Sequence, residues 1–136
     1  LHLTLAFIGA LEPDRARLVA AALAGQTATP VDWLRYSFGA FAGARVLWVG
    51  GADAQLEALA ARARALLDEL AVRFDRKPFV AHVTLLRDLP RAAAGDAARR
   101  IEPPIRWRAR APLLLESRTD AGGVRYLPLA PHGSNG

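Results

Sequence analysis

Residues 2–5 read His-Leu-Thr-Leu and residues 82–85 read His-Val-Thr-Leu. This repeat constrains the fold more than any other feature, because both copies sit in apolar runs where an extended backbone is expected. Side chains of a strand alternate between faces, so positions i and i+2 share one face, roughly 7 Å apart. Each His then projects beside its Thr, while Leu3, Leu5, Val83 and Leu85 point the other way into a core. Two such strands related by a pseudo-twofold would set two His/Thr pairs across a cleft. The chain has three histidines, and two of them open this motif. The third, His132, falls in a tail over 131–136 that reads as frayed.

The residue types suit one kind of chemistry. Imidazole gives or takes a proton near neutral pH, and a threonine hydroxyl donates to an anionic oxygen. Two of each make a metal-free arrangement for phosphoryl transfer. One imidazole takes a proton from the nucleophile while the other gives one to the leaving oxygen. A metal site would need a third and usually a fourth ligand, and His132 is the one histidine outside the pair. There is no cysteine, which excludes thiol nucleophiles, Cys-ligated zinc, iron–sulfur clusters and a disulfide framework.

At 136 residues and 52% hydrophobic content the chain reads as one globular domain. No apolar run approaches the ~18 residues that cross a bilayer. The net charge is +5 and the pI about 10.9, a balance compatible with a polyanionic partner. All the basic residues but Lys77 are arginine, a usage that also fits a GC-rich genome. No basic n-region and apolar h-region mark a secretory signal, so a cytoplasmic protein is expected. The sequence contains no methionine and starts at Leu1; the natural protein is expected to be longer.

Local patterns give the order β-α-β-β-α-β-(α)-β-β-β. Leu1–Ile8 reads as a strand ending at Gly9. Pro13 and Asp14 open a helix over Arg15–Ala24, closed by Gly25. Val31–Phe38 and Arg45–Val49 read as strands. Asp53 reads as an N-cap, followed by Leu56, Leu59, Ala63, Leu66, Leu67 and Leu70 at helical spacing, a stripe best explained as core. Phe79–Leu86 is a strand, and Ala92–Arg100 a short helix ending before Pro103 and Pro104. Ile105–Arg110 alternates as a half-exposed strand. Leu113–Ser117 and Val124–Leu127 form a hairpin around Gly122 and Gly123. Antiparallel sheets with flanking helices, an α+β design, follow from this order.

The motif pair resembles that of the 2H phosphoesterase superfamily, named for two His-x-Thr/Ser motifs. The chain is most similar to its RNA 2′,3′-cyclic phosphodiesterases, also called 2′-5′ RNA ligases, through LHLTLAFIG (1–9), GAFAGARVLWVG (39–50), KPFVAHVTLLR (77–87) and LESRTDAGGVRYLPL (115–129). The resemblance implies a bilobal, pseudo-symmetric α+β fold in which each lobe brings one motif to a central groove. It implies hydrolysis of an RNA 2′,3′-cyclic phosphate end to a 2′-phosphate, with reversible 2′-5′ joining, and no metal or cofactor. His2 and His82 become the acid/base pair, with His2 assigned as acid and His82 as base. Thr4 and Thr84 become donors to phosphate oxygens, and Arg87 a phosphate ligand. The implied partner is RNA with a 2′,3′-cyclic phosphate or 2′-phosphate end, handled by a monomer without a membrane. Two departures stand out. Ala81 replaces a common proline before the second motif, and relatives carry a strand and a helix ahead of the first.

Other readings stay open at this point. The same groove could serve an RNA-binding module with little catalysis, or a phosphodiesterase for a small cyclic nucleotide. Arg87 could pair with Asp88 instead. Arg106, Arg108 and Arg110 share one strand face and could follow an RNA backbone or simply be solvated. Phe41, Trp48, Phe79 and Trp107 could stack on bases or fill the core.

Overall fold

The computed structural model describes residues 2–26, 30–41, 43, 45–88, 90, 99–109 and 111–129. Two helices and six strands are found among them, in the order α1 (Pro13–Ala24), β1 (Val31–Phe41), β2 (Val46–Gly50), α2 (Ala54–Glu69), β3 (His82–Leu86), β4 (Arg99–Ala109), β5 (Leu115–Asp120) and β6 (Gly123–Pro128). The strands form a four-stranded sheet of order β3-β2-β1-β4 and a separate β5-β6 hairpin. All pairings are antiparallel. The expected α+β class and helix-flanked antiparallel sheets are found.

Helix α2 begins where the sequence marks it. Asp53 Oδ1 accepts hydrogen bonds of 2.9 Å from the backbone N–H groups of Gln55 and Leu56, satisfying two of the donors that a helix start leaves unpaired. The leucine stripe is buried as core through Leu56, Leu59, Ala63 and Leu67. At the far end, Arg15 of α1 donates to the carbonyls of Leu70 and Ala71 at 2.6 and 3.2 Å. One helix thus supplies donors that the last turn of the other needs.

Two apolar clusters hold the molecule together. The first gathers Val31, Trp33, Val49, Leu56, Leu59, Ala81, Val83 and Ala109, so it lies between α2 and the four-stranded sheet. The second gathers Val19, Leu67 and Val72, with Ala6, Ile8, Leu11 and Leu114 packed against it. The segment 2–9 contributes to both: Leu3 and Leu5 to the first, Ala6 and Ile8 to the second. A bend at Leu5 accounts for the change of side.

Four expectations are corrected. Residues 2–8 are not in a strand: a β-strand needs a hydrogen-bonded neighbour, and here carbonyls of the segment are bonded by Arg64 and by the Asp75 N–H instead. The strand expected from Phe79 starts at His82. A helix ending at Arg100 is not formed. Residues 91–98 lie outside the described residues, while Arg99 and Arg100 already belong to β4, which runs through Pro103 and Pro104. Proline is tolerated there because β4 is an edge strand, and because the ladder skips from Ile105, opposite Arg35, to Arg100, opposite Ser37. The hairpin strands reach closer to their turn than expected. Gly123 has a φ of 109°, open to a residue without a Cβ, and Asp120 Oδ1 accepts the Gly122 N–H at 2.8 Å. The tail at 131–136, with His132, lies outside the described residues.

Candidate functional site

The second motif occupies β3, an edge of the larger sheet, in register with β2 so that His82 faces Gly50 and Thr84 faces Trp48. Val83, between them, is 2% exposed and part of the core cluster on the α2 side. Alternation therefore sends His82 and Thr84 to the opposite face of the sheet. The apolar face expected of this strand holds for Val83 but not for Leu85, which is exposed at the strand end. The His82 ring is braced. Its Nδ1 lies 2.6 Å from the Val80 carbonyl oxygen, which can only accept, so Nδ1 carries the proton and Nε2 is the atom left to exchange one. Phe41 meets the ring edge-on at a centroid distance of 5.0 Å, and Trp48 at 6.2 Å.

The first motif is held differently. Leu3 and Leu5 enter the same cluster as Val83, so both motifs are rooted in one core. His2 packs against Tyr126 of β6, ring centroids 4.3 Å apart. The His2 imidazole is held below its ordinary pKa, first by burial, with the positive charge of Arg87 acting in the same direction. Arg87 follows directly after β3, so its charge reaches from the second motif to the first.

Three further contacts tie the two motif segments together, and none was legible beforehand. Arg64 of α2 donates from Nε to the Leu5 carbonyl at 3.1 Å and from Nη1 to the Lys77 carbonyl at 2.9 Å. The Asp75 N–H donates to the Phe7 carbonyl at 2.8 Å. Arg64 thereby bridges the end of the first motif and the approach to the second. In the sequence it is one more arginine beside the leucine stripe, and nothing in its spacing sets it apart. Arg45 donates to the Asp88 carbonyl at 3.2 Å, fixing the chain just after Arg87. Arg87 itself is exposed and forms no ion pair with Asp88.

A groove of about 1160 Å³ runs beside the first motif, lined by His2, Thr4, Trp107, Arg108, Ser117, Arg118 and Tyr126 among others. His82, Thr84 and Arg87 do not line it. Tyr126 is the residue that sequence reasoning missed here; its place in the quoted stretch 115–129 was the available signal. Arg106 and Arg108 are exposed on β4, at the other edge of the sheet from β3, and Arg110 lies outside the described residues. Among the described residues no group of three or more His, Asp or Glu side chains is arranged to hold a metal ion. No helix among them is long and apolar enough to cross a membrane.

Fold and paired motifs together are those of a 2H phosphoesterase. More narrowly, the family model of the 2′-5′ RNA ligase superfamily matches residues 1–121, and the chain belongs to that family. Solved structures agree. A structure described as a phosphoesterase superposes with a TM-score of 0.73 at 27% identity, over 95% of this chain and 74% of its own. The Escherichia coli LigT complex with 3′-AMP gives 0.71 at 26%, over 95% and 74%. A Thermus thermophilus protein, TT0787, shares the fold at 24% identity and a TM-score of 0.73, over 95% and 75%. No curated protein matches the sequence significantly.

Proposed function

We propose that this protein hydrolyses RNA 2′,3′-cyclic phosphate ends to 2′-phosphates, and joins RNA ends through a 2′-5′ bond when a 5′ hydroxyl takes the place of water as the nucleophile. The observation that carries the proposal is the rooting of both His-x-Thr motifs in one core cluster, with Arg87 close enough to act electrostatically on His2. His82 Nε2 takes a proton from water, whose oxygen attacks phosphorus. The bond from phosphorus to the 3′ oxygen breaks, and His2 gives its proton to that oxygen. Thr4 and Thr84 donate hydrogen bonds to the non-bridging phosphate oxygens, and Arg87 balances their charge. The nucleotide complex of LigT, a member of the same fold group, supports a ribonucleotide as the substrate class. In joining, the two imidazoles keep these roles with a 5′ hydroxyl in place of water, and they exchange roles when the 2′-5′ bond is cleaved back to the cyclic phosphate.

The test is hydrolysis of a 2′,3′-cyclic phosphate-ended oligoribonucleotide by the wild type and by His82→Ala and His2→Ala. Loss of about 100-fold or more in kcat is the order expected on removing a general acid or base. Undiminished turnover in either variant overturns the two-histidine mechanism.

A further inference from the structure

We propose that Trp48 is the platform on which the substrate's nucleobase stacks, an inference that rests on the reading of the site just given. Trp48 lies on the sheet face that carries His82, not on the face that packs against α2, because its strand neighbour Val49 belongs to the core cluster. Two glycines make room for the indole. A Cβ built on Gly39 would stand 2.1 Å from Trp48 Cζ2, and one on Gly50 would stand 3.2 Å from Trp48 Cε3. The ring therefore lies flat across β1 and β2, on backbone that has no side chains in the way. Phe41 supports it from the side, at 5.6 Å and 35°.

Trp33 shows what a structural tryptophan looks like in the same sheet. It is fully buried, and its Nε1 donates to the Gly51 carbonyl at 2.7 Å. Trp48 is half-buried, and its Nε1 has no hydrogen-bond partner among the described residues. Packing alone keeps the ring in place, and part of the residue remains accessible. The 6.2 Å between the Trp48 and His82 rings is on the scale of one ribose, the distance that separates a base from the phosphate on its own sugar. Aromatic stacking recognises any base through its π face and favors the larger purines. The subsite therefore takes a nucleobase with little sequence preference, adenine or guanine above cytosine or uracil.

The experiment compares adenosine 2′,3′-cyclic phosphate with methyl ribofuranoside 2′,3′-cyclic phosphate, which has the same phosphate and sugar but no base. The wild type should prefer the nucleotide in kcat/KM. Trp48→Leu should lower that preference about tenfold, mainly through KM, the scale of one lost base stack, and Trp48→Phe should restore part of it. Gly39→Ala, which pushes the ring off its bed, should act like Trp48→Leu. A preference unchanged in both Trp48→Leu and Gly39→Ala overturns the proposal. Adenosine 2′-monophosphate should also quench tryptophan fluorescence in the wild type and not in Trp48→Phe, where Trp33 and Trp107 remain. This second readout needs no turnover. Absence of hydrolysis with quenching intact would refute the proposed reaction and keep the platform, while quenching intact in Trp48→Phe would refute the platform.

Discussion

One charge can tune a proton donor, the role proposed for His2. The Arg87 guanidinium is one of the causes that hold the His2 imidazole below its ordinary pKa, after burial. In the proposed mechanism His2 is the acid, and an acid with a lowered pKa is lost earlier as pH rises, so His2 should set the alkaline limb of kcat/KM. Replacing Arg87 by Gln removes a cation that disfavors the imidazolium. The alkaline limb should move to higher pH, while kcat/KM falls about 10- to 100-fold through the lost charged hydrogen bond. A shift of the acidic limb instead would make His2 the base. Arg64 acts at the same scale through geometry. Arg64→Leu leaves the Leu5 and Lys77 carbonyls without their donors and should cost about 1–3 kcal/mol in denaturant unfolding. Arg64→Lys keeps the charge but cannot span two carbonyls with a planar fork. It should recover part of the stability and still show a reduced kcat with little change in KM.

At the level of elements, the join between β2 and β3 sets the position of the second motif. Gly50 faces His82 across the ladder, and a Cβ there would stand 2.3 Å from the Ala81 carbonyl oxygen. Backbone has to move to admit it, so Gly50→Ala should destabilise the protein by about 1–3 kcal/mol, as overpacking does. Activity should fall beyond what the unfolded fraction explains. Asp53→Ala tests the other kind of element feature, a local one. It removes the N-cap of α2 and should cost about 1 kcal/mol, leaving kcat of the folded fraction unchanged. Calorimetry paired with single-substrate kinetics separates the two cases. Asp53 was legible because an N-cap depends on neighbours within three residues. The close approach at Gly50 was not, since it depends on a strand more than thirty residues away.

Over the whole molecule, the proposed mechanism has two imidazoles do what a metal-bound water does elsewhere. Incubation with EDTA should leave cyclic-phosphate hydrolysis at its full rate, and a rate restored only by added divalent cation would refute the mechanism. The paired His-x-Thr spacing, the α2 stripe and its Asp53 cap, and the glycine-marked hairpin were all determined by the sequence, because each is a matter of period or of contacts a few residues apart. Tertiary structure alone decided that residues 2–8 are held by Arg64 and Asp75 rather than in a ladder, that a proline-bearing segment runs as an edge strand, and that Tyr126 lies against His2. It also set Trp48 flat beside His82, over two glycines that the sequence could mark only as turns or small residues. Each of these joins residues distant in the chain. A carbonyl takes its donor from whichever segment the packed core brings within hydrogen-bond distance, and no local pattern carries that information.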